Sequence, residues 1–148
     1  MRAVARAKVN LYLEVVGRRP DGYHDLRTLF QTVRWGDDVE VVRTTDAGVT
    51  CRTVGADVPD DERNLAVRAA RAWLAASGAP GGVRVALDKR VPVGGGLGGG
   101  SSDAATVLRL LDADAGPRAL GAARLAELAA GLGADVAFLL EGGGATGT

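Results

Sequence analysis

The sequence has very little cysteine, with Cys51 as the single thiol in 148 residues. One thiol cannot form an internal disulfide, which excludes a disulfide-stabilised secreted fold and leads us to expect a cytoplasmic protein. The sequence also lacks a run of about eighteen apolar residues, the length that a membrane helix needs. Arg2, Arg6, Lys8 and Asn10 interrupt the N-terminus, which is unlike a signal peptide. We therefore expect no membrane contact.

An excess of charge of either sign is also absent. Eighteen Lys and Arg residues offset eighteen Asp and Glu residues, so the attraction that draws basic proteins to nucleic acid is missing. No spacing of His, Cys and acidic residues is diagnostic of a metal site. The hydrophobic fraction of 47% is that of a globular protein, and the length is that of about one domain.

Glycine, by contrast, is abundant near the middle of the chain, in the segment PVGGGLGGGSSDAAT, Pro92 to Thr106. Such a segment can be a flexible linker. It can also be a rigid loop that holds phosphate, because Ser101, Ser102 and Asp103 are N-cap residue types and an amphipathic helix pattern follows them. Glycines that lead into a helix N-terminus place free backbone N–H groups near a ligand. This context favours the phosphate loop.

The segment fits several known phosphate loops poorly. Gly94 to Gly99 match G-x-G-x-x-G, but Arg90, Val91 and Pro92 separate these glycines from the preceding strand. The P-loop signature fails because Gly100 stands where its lysine is expected. A protein-kinase glycine loop lies between two strands and does not open a helix. An anion-binding loop of another class remains.

Alternation and turn residues predict strands first and helices later, which indicates a single α+β domain with a largely antiparallel sheet and helices on one face. Two turns are expected, at Pro20-Asp21-Gly22 and at Gly36-Asp37. The predicted strands are 3–15, 28–35, 37–44, 48–54 and 83–91, and the predicted helices are 64–77, 103–114 and 123–132.

The glycine segment resembles the central ATP-binding motif of the GHMP kinases, a family of small-molecule kinases. Three further segments, AKVNLYLEVVGRRPDGYHDLRTLFQTV, GDDVEV and LGADVAF, are similar to the branch of that family whose acceptor is a cytidine diphosphate derivative of methylerythritol, phosphorylated on its 2-hydroxyl. The resemblance runs over essentially the whole chain. It implies a GHMP-kinase N-terminal, ATP-binding domain, a ribosomal-protein-like two-layer fold, over residues 1–148, without the C-terminal domain of the family.

The resemblance also implies roles for individual residues. Lys8 and Asp135 would form the catalytic pair, because a carboxylate can accept the proton of an alcohol while an ammonium offsets charge on the transferred phosphoryl group. Asn10, Tyr23 and His24 would bind the substrate. ATP, with Mg²⁺ bridging its phosphates, would lie along the remaining residues. These are Gly94, Gly95, Gly96, Leu97, Gly98, Gly99, Gly100, Ser101, Ser102, Asn64 and Lys89.

Pattern alone favours simpler roles for several of these residues. It favours a solvated strand lysine at Lys8 and a cap or turn residue at Asp135. For Asn64 and Lys89 it is evenly divided between nucleotide binding and the roles of an N-cap and a solvated strand lysine. Ala137 also stands where the family usually has proline. Two alternatives therefore stay open: a truncated, non-catalytic nucleotide-binding half, or a GHMP kinase for another small alcohol. Apolar surface left by the absent half would favour association with another chain.

Overall fold

The computed structural model describes residues 1–18 and 24–147. Within these two ranges, five strands form one sheet: β1 (Arg2–Arg18), β2 (His24–Thr44), β3 (Gly48–Val54), β4 (Gly82–Asp88) and β5 (Gly144–Gly147). Their order is β1-β2-β4-β3, and β5 pairs with the part of β2 that β4 does not reach. All pairings are antiparallel except that of β3 with β4. The predicted α+β fold with a largely antiparallel sheet is confirmed.

In the described part of the chain, four helices make the second layer: α1 (Leu65–Ser77), α2 (Gly99–Ala113), α3 (Gly121–Leu132) and α4 (Ala134–Glu141). A 3₁₀ turn, Gly116–Arg118, joins α2 to α3. The core between the layers combines Val83, Val85 and Leu87 of β4 with Trp73 of α1 and Leu108 of α2, all almost fully buried. None of the helices in the described ranges is long and apolar enough to cross a membrane.

Helix α1 begins as its sequence predicts. Asn64 is its N-cap, and the side-chain oxygen of Asn64 accepts a 2.9 Å hydrogen bond from the backbone N–H of Ala66. Gly78, at a φ of 60°, ends the helix in the left-handed conformation that glycine adopts without steric cost.

The turn predicted at Gly36-Asp37 is wrong, because β2 runs through both residues as one strand. The pairing of β1 with β2 shifts register here, between Arg6 and Lys8. A Cβ on Gly36 would lie 2.1 Å from the carbonyl oxygen of Ala5. Glycine is therefore required for the close approach of the two strands, and the irregularity changes register without reversing the chain.

The start predicted for α2 is also wrong. The helix begins at Gly99 instead of residue 103, and its N-cap is Gly98 at a φ of 68°. Ser101, Ser102 and Asp103 therefore lie inside the first turns and do not cap the helix. Ser102 and Asp103 are buried and bond to other elements. These tertiary contacts outweigh the low helix propensity of Gly99 and Gly100.

The alternating pattern of β1 holds only for its first half. Ala5 and Ala7 are buried, whereas Leu11, Leu13 and Val15 are 61%, 57% and 60% exposed. The register of β1 against β2 shifts again between Asn10 and Tyr12 and between Val15 and Gly17. The second half of β1 therefore lies at the edge of the sheet, paired with β2 alone, and its large apolar side chains stay at the surface.

Candidate active site

Lys8 and Asp135, which are far apart in the sequence, meet in the structure. The Nζ of Lys8 lies 3.6 Å from Oδ2 of Asp135. Lys8 is only 6% exposed, in contrast to a solvated strand lysine. The side chain of Asp135 is 40% exposed. Asp135 lies in the first turn of α4, two residues after the N-cap Gly133. The pair thus combines a buried ammonium with a carboxylate that can be reached from solvent.

Lys8 is held by several neighbours besides Asp135. Its Nζ donates a 2.8 Å hydrogen bond to Oδ1 of Asn10, and it lies 4.7 Å from the ring centroid of Phe30. The Nδ2 of Asn10 donates in turn to Oγ1 of Thr28, at 2.9 Å, and the Thr28 hydroxyl donates to the carbonyl of Tyr12. This chain of bonds fixes the Asn10 amide so that its oxygen faces the ammonium group.

The glycine loop between β4 and α2 lies directly against this lysine. The backbone N–H of Lys8 donates a 2.9 Å hydrogen bond to the carbonyl of Leu97. A Cβ on Gly98 would lie 3.0 Å from Cγ of Lys8 and 3.3 Å from Cδ1 of Leu139. Gly94, Gly96 and Gly98 all have φ near 70°. Glycine is therefore favoured at all three positions by the backbone conformation, and at Gly98 also by the close contact with Lys8.

The loop ends at an uncapped helix N-terminus. The first helical bond of α2 runs from the N–H of Ser102 to the carbonyl of Gly98. The N–H groups of Gly99, Gly100 and Ser101 therefore precede the helical hydrogen-bond ladder, and no described side chain caps them. Such N–H groups, together with the helix dipole, favour an anion at this position.

Two residues predicted to bind nucleotide make structural bonds. The hydroxyl of Ser102 donates to the carbonyl of Arg6, at 2.7 Å. The Nδ2 of Asn64 donates to the carbonyl of Pro59, at 2.7 Å, while its oxygen caps α1. Asn64 nonetheless lines a cavity of about 120 Å³ together with Lys89, Asp103 and the glycines of the loop. This cavity is smaller than the ~300 Å³ that is usual for a ligand pocket.

Lys89 is buried and belongs to a charged cluster below the loop. Its Nζ donates to Oδ2 of Asp37 and, at 2.6 Å, to Oδ2 of Asp103. The other oxygen of Asp37 accepts hydrogen bonds from the backbone N–H groups of Arg90 and Val91. All three charged side chains are at least 96% buried. Lys89 is therefore not the solvent-exposed strand lysine that its position in the sequence suggests.

Asp103 is the carboxyl group of this cluster whose charged form is disfavoured by burial. Burial raises the pKa of the Asp103 carboxyl from 3.8 to about 7, although the nearby Lys89 ammonium opposes the rise. Burial lowers the pKa of Lys89, but the two carboxylates more than offset this and raise it overall. Among the described residues, Oδ1 of Asp103 has no hydrogen-bond partner. Near neutral pH the cluster therefore carries a proton that is easily gained or lost.

The structure brings the predicted catalytic pair, Asn10 and the glycine loop together, but it does not bring His24 to them. The backbone of His24 pairs with Arg18, whereas Lys8 pairs with Thr32. Eight residues of extended strand from Thr32 to His24 span up to about 26 Å. Tyr23, the side chain of His24 and the Pro20-Asp21-Gly22 turn lie outside the described residues.

Sequence reasoning missed three residues of the site. Asp37 was interpreted as part of a turn, Asp103 as a helix cap, and Thr28 as an ordinary strand residue. Asp37 and Asp103 bond to Lys89 across 52 and 14 residues of chain. Local pattern carries no signal for such contacts. The one available signal was Lys89 itself, because it is one of only two lysines beside sixteen arginines.

Comparisons with known proteins identify the family of the chain. The family model described as the GHMP kinases N terminal domain matches residues 64–143. The chain therefore belongs to the GHMP kinase family. Among its relatives, the protein named 4-diphosphocytidyl-2-C-methyl-D-erythritol kinase of Desulfotalea psychrophila is 52% identical over 140 residues. The protein with the same name of Paraburkholderia phytofirmans is 50% identical over 139 residues.

The alignments cover 90% and 94% of this chain but only 45% and 47% of those two proteins. The chain thus spans about half the length of the curated relatives it matches. A crystal structure of a 4-(cytidine 5'-diphospho)-2C-methyl-D-erythritol kinase superposes with a TM-score of 0.84 at 48% identity, over 99% of this chain and 51% of that one. The mevalonate kinase of Methanococcus jannaschii, at 13% identity and a TM-score of 0.73 over 100% of this chain and 53% of that one, shares the fold.

Proposed function

We propose that this chain is the N-terminal part of an ATP-dependent kinase that phosphorylates the 2-hydroxyl of 4-diphosphocytidyl-2-C-methyl-D-erythritol, in the biosynthesis of isoprenoid precursors. The observation that carries the proposal is the Lys8–Asp135 pair, 3.6 Å apart, beside the glycine loop. The choice of acceptor is supported by the names of relatives that are about 50% identical.

ATP is the proposed phosphate donor, with its phosphates along Gly94 to Ser102. Support comes from the free N–H groups at the start of α2 and from the open space around the loop. A Cβ on Gly94, Gly96 or Gly100 would meet nothing within 4 Å, so phosphate oxygens can approach the backbone there. Ser101 and Asn64 complete the proposed nucleotide site, and Lys89 lines the cavity beneath the loop.

In the proposed reaction, Asp135 accepts the proton of the 2-hydroxyl as its oxygen forms a bond to the γ-phosphorus of ATP. The bond from that phosphorus to the β–γ bridging oxygen breaks, and ADP leaves with the electron pair. Lys8 offsets the charge that develops on the transferred group, and Asn10 holds the lysine in place. Tyr23 and His24 are proposed to bind the cytidine end of the acceptor.

Mg²⁺ is the proposed metal, and ATP phosphates would supply most of its ligands. Among the described residues, no group of three or more His, Cys, Asp or Glu side chains is arranged to hold a metal ion. This fits Mg²⁺, which usually takes one or two carboxylates together with phosphate oxygens and water. The ion would neutralise charge on the phosphates. We also propose a cytoplasmic location, supported by the single cysteine, Cys51.

The test combines calorimetry with a non-hydrolysable ATP analogue and a coupled assay of ADP release with the acceptor. The proposal expects binding of the analogue and ADP release that depends on the acceptor. Absence of binding would contradict the nucleotide site. Release of ADP with another small alcohol, but not with this acceptor, would assign the chain to a different GHMP substrate.

A third outcome, binding without turnover, would favour the non-catalytic half as the state of the isolated chain. The exposed apolar residues Leu11, Leu13 and Val15 support association with a further polypeptide. The assay is therefore repeated after co-expression with the C-terminal half of the Desulfotalea psychrophila relative. Turnover that appears only then assigns the activity to the two halves together. Turnover that is absent in both cases contradicts the proposed reaction.

A further inference from the structure

The buried cluster of Lys89, Asp37 and Asp103 connects the two ends of the glycine loop. Lys89 directly precedes the loop segment Arg90 to Gly98, and Asp103 follows it in the second turn of α2. The 2.6 Å bond between Lys89 Nζ and Asp103 Oδ2 thus closes a ring around the loop. Asp37 adds a fixed point, because it lies in β2 and bonds to both Lys89 and the first residues of the loop.

The ammonium of Lys89 is poorly placed to act on a ligand. It is engaged by two carboxylates, and its side chain is 4% exposed. A Cβ on Gly99 would lie 3.3 Å from Lys89 Nζ and 3.1 Å from Cγ1 of Val91. The first residue of α2 therefore packs directly on the ammonium, and this places Lys89 beneath the helix N-terminus that would face the phosphates.

The same cluster also affects the position of Lys8, because Lys8 bonds to the glycine loop. The carbonyl of Leu97 accepts the backbone N–H of Lys8, and the carbonyl of Gly98 accepts the N–H of Ser102. Both acceptors belong to the last two residues of the loop, whose ends the cluster holds. A loop free to move would lose both bonds, because each depends on a backbone conformation with positive φ at Gly98.

We infer that Lys89, Asp37 and Asp103 form a clasp that fixes the glycine loop in its phosphate-binding shape, so that Lys89 is a positioning residue and not a direct ligand of the nucleotide. This inference rests on the proposed function for the nature of the ligand. The loop geometry that it explains does not depend on that function. A buried ion cluster of this kind contributes little net stability, and loss of a single partner leaves a charge unpaired.

The first test measures affinity for the non-hydrolysable ATP analogue by calorimetry. Asp103→Ala opens the clasp and leaves Lys89 paired with Asp37, so affinity is expected to fall about tenfold. Asp103→Asn keeps an acceptor for Lys89 and is expected to stay within about threefold of the wild type. Asp112→Ala is the matched control, because Asp112 lies at the other end of α2 and bonds to Trp73 and Leu120. It is expected to lower stability without changing affinity.

The second test separates positioning from direct contact by a double-mutant cycle. Lys89→Met is made in the Asp37→Asn/Asp103→Ala background, where the amide oxygen at position 37 can still accept from the N–H groups of Arg90 and Val91 and no buried carboxylate is left unpaired. Because the clasp is already open in this background, Lys89→Met is expected to change the affinity for the ATP analogue by less than twofold. A further tenfold loss in this background would show that Lys89 binds the nucleotide itself and would overturn the inference.

The third test needs no nucleotide. Hydrogen exchange of the Lys8 and Ser102 amides is expected to be at least tenfold faster in Asp103→Ala than in the wild type and in Asp103→Asn. Unchanged exchange would overturn the clasp. If the wild-type chain binds no nucleotide but the exchange result holds, the clasp stands and the proposed nucleotide site fails.

Discussion

The backbone N–H of Lys8 donates a 2.9 Å hydrogen bond to the carbonyl of Leu97, and this bond joins the first strand to the glycine loop. The side chain of the same lysine reaches Asn10 and Asp135. A single residue thus connects the loop proposed to hold phosphate with the carboxylate proposed to accept a proton. A displacement of the loop is therefore expected to disturb the catalytic pair as well.

Asp135→Asn is expected to abolish phosphoryl transfer and to leave ATP binding nearly unchanged. The amide keeps the size of the side chain but cannot accept the proton of the hydroxyl, and loss of a general base costs about 10²–10⁴ in rate. ADP release and calorimetry with the ATP analogue measure the two effects separately. Glu141→Gln, an exposed substitution at the other end of α4, is the control. Unchanged turnover in Asp135→Asn would remove this residue from the mechanism.

Thr28→Val is expected to lower kcat about tenfold while the affinity for the ATP analogue is retained. Valine has the shape of threonine but offers no acceptor to Asn10, so the amide that orients Lys8 loses its support. The same substitution at Thr53, a strand residue outside this chain of bonds, is the comparison. Equal kcat values for the two variants would show that the Asn10–Thr28 bond does not contribute to the reaction.

Gly98→Ala is expected to lower the free energy of unfolding by about 1–2 kcal/mol, because the φ of 68° disfavours a side chain. The added Cβ would also contact Lys8 at 3.0 Å. Gly131→Ala is the matched glycine substitution. Gly131 lies inside α3 with open space around it, so alanine there is expected to stabilise the protein by about 0.5–1 kcal/mol. Denaturant unfolding measures the change in the free energy of unfolding for both variants. Changes of the same sign would contradict the requirement for glycine at position 98.

The pH dependence of stability is expected to depend on Asp103. Because burial raises the pKa of Asp103 to about 7, the folded state holds a proton that the unfolded state releases near pH 3.8. The protonated Asp103 carboxyl therefore contributes to the free energy of unfolding in full below about pH 4. This contribution, about 4 kcal/mol, is lost as the pH rises through 7.

Asp103→Asn removes this titration. The variant and the wild type are expected to be similarly stable near pH 4, and the variant is expected to be the more stable of the two at pH 8. Denaturant midpoints across this range measure the difference. Asp114→Asn, an exposed residue just after α2, is the control and should leave the pH profile unchanged. Parallel profiles for Asp103→Asn and the wild type would contradict the raised pKa.

Local signals in the sequence predicted those parts of the structure that local interactions determine. Asn64 caps α1 and Gly78 ends it because both effects act within a few residues. Gly36 and Asp37, by contrast, have the composition of a turn, yet their conformation is set by Ala5 and by Lys89. The start of α2 was misplaced for the same reason, since Ser102 and Asp103 bond across the fold instead of capping their own helix.

In the candidate site, too, features set by local interactions were predicted and features set by long-range contacts were not. The alternation of β1 identified the strand that carries Lys8 but favoured a solvated lysine. Burial of that lysine depends on Phe30, Leu97 and Gly98, which belong to other elements. The pairing of Lys8 with Asp135 was predicted from the resemblance to the GHMP kinases. The hydrophobic periodicity of the sequence gives no indication that these two distant residues meet.

The pairing of β5 with β2 has a consequence for the order in which the protein is made. Thr32 bonds to Gly143, which is 111 residues further along the chain. During synthesis, the first strands and the glycine loop leave the ribosome well before α4 and β5 do. A nascent chain can therefore expose the glycine loop before Asp135 has reached Lys8, and the proposed catalytic pair forms only when the segment from Asp135 to Gly147 has folded against β2.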